Sequence, residues 1–191
     1  MKKLLSILLA LALTGCAAVN KMETGQQNIG ERLVVTLEGA WNHVAAPGLA
    51  LGPGQVWTME GLPIDQLRIY AGVKDGEPIA AAAGSEQAIN FRSTMQPQDI
   101  VAMFESMLTR GGSTFRLDKL EPWSFGGEKG FRFEFTFTRK VDGVVNSGVG
   151  YGAVNKGELF TLLYAAPRLG FFARHKDKVE QIARSARFRT S

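Results

Sequence analysis

The most regular stretch of the chain is residues 130–140, where apolar and polar positions alternate without a break. Phe131, Phe133, Phe135 and Phe137 fall on one side, and Arg132, Glu134, Thr136 and Thr138 on the other. A period of two is that of a β-strand, and one apolar side predicts a sheet with one buried and one wetter face. Asp142-Gly143 follows as a hairpin turn. Residues 144–154 run back, Asn155-Lys156-Gly157 turns again, residues 158–165 return, and Pro167 ends the run. The three strands form an antiparallel meander.

Weaker alternation predicts strands at residues 31–38, 56–59, 67–73 and 114–120, with turns at Glu60-Gly61 and Lys74-Asp75-Gly76-Glu77. Residues 41–54 hold several Gly and Pro and read as a loop, while residues 80–83 are small and fit neither period. Two stretches have helical spacing. Pro97 stands at a first helical position with Asp99 in the first turn, and Ile100, Phe104, Met107 and Leu108 share a face before Gly111 stops it. Phe172, His175, Val179, Ile182 and Ala186 mark a second stripe, expected to pack back on the sheet.

The first thirty residues follow neither pattern. Lys2 and Lys3 precede an apolar run, residues 4–13, broken only by Ser6. As a helix this run is about 15 Å long, roughly half the hydrocarbon thickness of a bilayer, so it suits a secretory signal and not a span. Leu13-Thr14-Gly15-Cys16 resembles the lipobox of bacterial lipoproteins. The resemblance implies diacylglyceration of the Cys16 thiol, cleavage between Gly15 and Cys16, and acylation of the new N-terminus. Two or more acyl chains hold a protein stably where one does not. Ala17 stands where an aspartate would retain an enterobacterial lipoprotein at the inner membrane, so the expected location is the cell envelope, at the outer membrane facing the periplasm. Residues 1–15 are then a cleaved signal peptide. Residues 16–30, polar and poor in large apolar groups, read as a lipidated N-terminus and flexible tether, and residues 31–191 as one globular domain.

Cleavage changes the charge. Lys2 and Lys3 leave, so 22 basic side chains become 20 against 18 acidic, a formal charge of +2 rather than +4. That is no nucleic-acid footprint. Cys16 is the only cysteine of the 191 residues, so the mature domain has no disulfide and no thiol nucleophile.

The element order has a known likeness. A strand, a helix opened by Pro97-Gln98-Asp99, a meander turned by Asp142-Gly143 and a last helix ending Ala183-Arg184-Ser185-Ala186-Arg187-Phe188 together resemble the PsbP-like fold. This implies an α+β class: an antiparallel β-sheet with helices packed on its faces, an α/β/α sandwich. Photosystem II extrinsic proteins and several small bacterial lipoproteins share that fold, which by itself assigns no function.

Candidate chemistry is sparse. Gly148-Val149-Gly150-Tyr151-Gly152-Ala153 fits a dinucleotide pattern, but it lies inside a predicted strand and not between a strand and a helix. Glycines there read instead as places where a large ring comes close. Gly126-Gly127-Glu128-Lys129 reads as a tight turn. His43 and His175 are the only histidines, and the 18 carboxylates show no paired spacing, so no catalytic residue, metal or cofactor is expected. His175 reads as a boundary residue of the last helix. Trp41, His43, Trp57 and Trp123, in or beside loops and short strands, are candidates for an interaction surface. The basic residues near the C-terminus read as a solvated helix face, with Glu180 and Arg184 paired. Two functions fit these observations: a non-catalytic interaction or assembly domain with an envelope protein partner, or an envelope hydrolase or small-ligand-binding protein whose site comes from residues distant in sequence.

Overall fold

Four consecutive phenylalanines on one strand face need a partner surface, and the computed structural model shows what supplies it. Residues 18–45, 54–82 and 87–189 are described. The strands among them are β1 (Ala18–Met22), β2 (Gly25–Ile29), β3 (Leu33–Leu37), β4 (Trp41–Ala45), β5 (Gln55–Thr58), β6 (Gln66–Val73), β7 (Pro78–Ala80), β8 (Ile89–Asn90), β9 (Thr114–Phe125), β10 (Glu128–Thr138), β11 (Val145–Asn155), β12 (Glu158–Pro167) and β13 (Arg187–Phe188). The helices are α1 (Pro97–Leu108) and α2 (Phe172–Ser185). An eight-stranded sheet runs β1-β4-β5-β6-β12-β11-β10-β9, every neighbouring pair antiparallel. A small sheet, β13-β3-β2, stands apart from it. The class is α+β, an antiparallel β-sheet with helices packed on its faces, as expected from the element order.

Helix α1 covers one face of the large sheet. Phe104 on α1 meets Phe133, and Tyr70, Val73, Phe131, Phe135, Leu159 and Leu163 complete that core. The helix starts where Pro97 predicts: Asp99 Oδ2 accepts from the Gln96 backbone N–H at 2.9 Å. Helix α2 and the small sheet cover the other face, where Val179 and Ile182 pack with Leu33, Val35, Val149, Tyr151, Leu162 and Tyr164. The wetter face expected for β10 is therefore largely covered, and Arg132 is only 6% exposed.

The glycine-rich strand is explained by its neighbour. Gly148, Gly150 and Gly152 on β11 stand opposite Phe135, Phe133 and Phe131 on β10. A Cβ on Gly150 would lie 2.1 Å from the Phe133 ring, and one on Gly148 2.1 Å from that of Phe135. The bare backbone lets the rings lie flat on the sheet. Gly126 and Gly127, at φ +64° and +91°, make the β9–β10 hairpin turn.

Two expectations are corrected. The tether ends by Ala18, because β1 pairs with β4 from Ala18–Ala45 to Met22–Trp41 and β2 pairs with β3. The loop expected at residues 41–54 begins instead as strand β4. The first error arises because β1 and β2 are edge strands with few buried side chains, held largely by backbone pairing. The second arises because β4 is an internal strand that buries only Trp41 and Val44, too short a pattern to outweigh the Gly and Pro that follow. The expected signal peptide, the Gly15–Cys16 cleavage point and the Cys16 anchor lie outside the described residues.

Candidate functional site

The four residues marked as an interaction surface do not come together. Trp41 and Trp57 are 1% and 0% exposed, so both are core residues and not surface anchors. Trp41 meets the Tyr164 ring edge-on at 6.3 Å. Their side chains fill the space under α2 and the small sheet, where burial is worth more than contact with a partner. His43 is half-buried on β4, between Asn20 and Trp57 on the adjoining strands. Trp123 lies across the sheet on edge strand β9, half-buried, with the Arg184 guanidinium 4.6 Å from its ring.

His175 is buried at the boundary of α2, its Nε2 2.7 Å from Glu60 Oε1, the oxygen that also accepts from Arg174 Nη1 at 2.9 Å. Those two hydrogen bonds, that with His175 the stronger, hold the Glu60 carboxyl below the ordinary glutamate range. A depressed pKa means stability that is present above the unfolded value of about 4.5 and lost as pH falls through the lower folded value. We expect Glu60→Gln to lower the melting temperature near pH 7 and the gap to the parent to close as the pH falls below the ordinary glutamate range. Melting curves across that range check it, and a gap that persists in acid would disprove it.

One pair of carboxylates does gather. Arg132 reaches Glu121 Oε1 at 2.8 Å and Glu134 Oε1 at 2.5 Å, with Tyr151 beneath its guanidinium at 5.7 Å. Hydrogen bonds with Lys119 and Arg132 lower the Glu121 pKa, and the bond with Arg132 lowers that of Glu134. Both carboxylates are ionised around one cation, whereas acid–base catalysis by such a pair needs one of them raised. Two of the C-terminal basic residues are engaged internally: Arg184 Nη2 lies 2.6 Å from Glu180, and Arg189 donates to Asn28. Among the described residues no three His, Cys, Asp or Glu groups gather to hold a metal ion.

A groove of about 360 Å³ opens at the C-terminal end of α1, more enclosed than the shallow clefts of about 540 and 490 Å³ beside Trp123. Its floor is apolar, made by Met107 and Leu108 of α1, Phe137 of β10, and Leu163 and Ala165 of β12. Arg68, Arg110, Arg139 and Lys140 also line it, and no carboxylate or imidazole does. Asp142 neutralises Arg139 from outside, at 2.5 Å, and Arg139 also donates to the Pro63 carbonyl. Arg110 donates to the carbonyls of Ala81, at 2.7 Å, and Gln87.

Arg68 is different. It sits in the middle of β6, opposite Leu163, and its Nη2 donates to the Gln66 amide oxygen at 2.7 Å. No carboxylate among the described residues pairs with it or with Lys140. Burial lowers the Arg68 pKa, with the Tyr70 hydroxyl opposing that shift. A guanidinium placed against apolar side chains without a carboxylate beside it is costly to keep charged. The sequence held one signal of this: Leu67 and Ile69 point to one core, so strand alternation puts Arg68 and Tyr70 on the opposite, equally covered face.

No protein-family model matches the chain, and no curated protein does. Among solved structures it is similar to the cyanobacterial PsbP protein CyanoP of Synechocystis sp. PCC 6803, at TM-score 0.59 and 13% identity over 93% of this chain and 96% of that one. It is also similar to LpqN of Mycobacterium tuberculosis, described as involved in cell envelope biogenesis, at TM-score 0.45 and 12% identity over 90% of this chain and 92% of the other. At such identities the likeness to CyanoP is one of fold.

Proposed function

We propose that the chain is a bacterial envelope lipoprotein, anchored through Cys16, whose PsbP-like domain binds and does not catalyse. The observation that carries the binding role is the groove beside Arg68: it offers several hydrogen-bond donors and an apolar floor, and no imidazole or carboxylate to take up a proton. The groove is built from four segments far apart in sequence, which favours a ligand-binding site over a flat assembly surface. The location at the outer membrane, facing the periplasm, is supported by the short apolar run before Cys16 and by Ala17 after it. Cys16→Ala is expected to abolish incorporation of a fatty-acid probe in cells and to leave the precursor uncleaved. Equal labelling of parent and variant would defeat the anchor, whatever the groove does.

A further inference from the structure

We infer that the groove at the end of α1 binds a small amphipathic anion, a single carboxylate or phosphate head carried on a short apolar body. This deepens the binding reading just given, and it does not depend on the lipid anchor.

Charge chooses the head. Four cations line the groove, and of these Arg68 and Lys140 have no carboxylate partner among the described residues. Arg132, Arg139, Arg174 and Arg184 each have a carboxylate supplied by the fold. Arg68 is also the one whose charge is placed on a face that an apolar helix covers. An incoming anion supplies the missing counter-charge with charge-assisted hydrogen bonds, and the fork of the guanidinium suits the oxygens of a carboxylate or phosphate.

Shape and lining choose the rest. A bare inorganic anion would leave the partly exposed Leu108, Phe137 and Ala165 facing water, while an apolar body of a few carbons covers them. About 360 Å³ lies near the lower end of small-molecule sites, too little for a lipid with two long chains. The groove is also not an extended channel along a sheet edge. Its walls are the end of α1, the Pro63–Gln66 turn and the β10–β11 hairpin, and the strands that line it, β6, β10, β11 and β12, are all internal, so it offers a peptide strand no open ladder.

The test is calorimetric titration of the full chain, in buffer without membranes, with octanoate and with octyl phosphate. Acetate and inorganic phosphate supply heads without a body, octanol a body without a head, and an oligoglutamate peptide an acidic segment. We expect octanoate or octyl phosphate to bind, the better of the two reporting which head is preferred, and acetate, phosphate, octanol and the peptide to bind at least about tenfold more weakly. Arg68→Gln should weaken the amphiphile about tenfold or more, and Arg68→Lys less. Lys140→Gln, at the exposed rim, should weaken it several-fold and reduce its salt dependence without altering the melt. Octanol binding as tightly as octanoate would overturn the anion, acetate or phosphate binding as tightly would overturn the apolar body, and tighter binding of the peptide would make this a segment-docking site. No binding by either amphiphile would overturn the inference while leaving the Cys16 anchor untouched. If Arg68→Gln fails to fold, the Lys140→Gln comparison decides.

Discussion

Phe133→Ala is expected to cost the domain about 3–5 kcal/mol, read as a lower denaturant midpoint at an unchanged slope. Phe133 is 0% exposed and lies at the middle of a row of rings. Its centroid is 6.2 Å from that of Phe131, 5.7 Å from Phe135 and 6.3 Å from Phe104 across the layer. Removing the ring leaves a hole bounded below by Gly150, which has no side chain to fall into it. Collapse is therefore poor, and the loss should be near the top of the range for such changes. Thr136, on the opposite face of the same strand, gives one hydrogen bond to Asp118 at 2.7 Å and is half-buried. Thr136→Ala should cost about 1 kcal/mol. Equal losses at the two positions would refute the assignment of the faces.

Gly150→Val is the complementary experiment. A Cβ there would sit 2.1 Å from Phe133 Cε1 and 2.4 Å from its Cζ, far inside van der Waals contact. The ring cannot swing away, since Phe131, Phe135 and Phe104 enclose it. The variant should lose about 3 kcal/mol, the upper end of overpacking costs, or fail to fold. The milder Gly150→Ala keeps the test quantitative, at about 1–3 kcal/mol. In the Phe133→Ala background the added methyl enters the vacated space, so the two losses should be clearly less than additive. Strict additivity in that cycle would mean the ring and the glycine do not touch.

These two positions also show what was legible in the sequence. Alternating phenylalanines, the Asp142-Gly143 turn and alternate glycines are local signals, and each specifies the element in which it stands. The helices announce themselves by Pro97 and by the stripe from Phe172 to Ala186. What could not be read is whatever depends on a partner. Strand β1, Ala18-Val19-Asn20-Lys21-Met22, has no apolar face of its own and exists because β4 offers it a backbone ladder. Trp57 and Trp123 have the same side chain in similar local settings, yet one ends at 0% exposure and the other half in solvent, because β5 lies inside the sheet and β9 at its edge. The groove is the extreme case. Arg68, Arg110 and Arg139 come from three separate elements, and only the β6–β12 pairing brings the first to the same side of the sheet as the others.

That β6–β12 pairing also sets the order in which the molecule can be completed. A ribosome releases β1 and β4 to β6 long before β12, and β6 then has one open side with Leu67 waiting for Tyr164. Helix α2 and strand β13 come later still. Phe188 closes on Phe160 at 4.3 Å and Phe125 at 5.8 Å, and the Arg189 N–H ties back to the Arg32 carbonyl at 2.9 Å. Hairpins within each half can form early, but the β6–β12 seam must await residues 158–167, and the contacts of Phe188 and Arg189 come only after it. The two halves of the large sheet therefore cannot close on each other until most of the chain has been made.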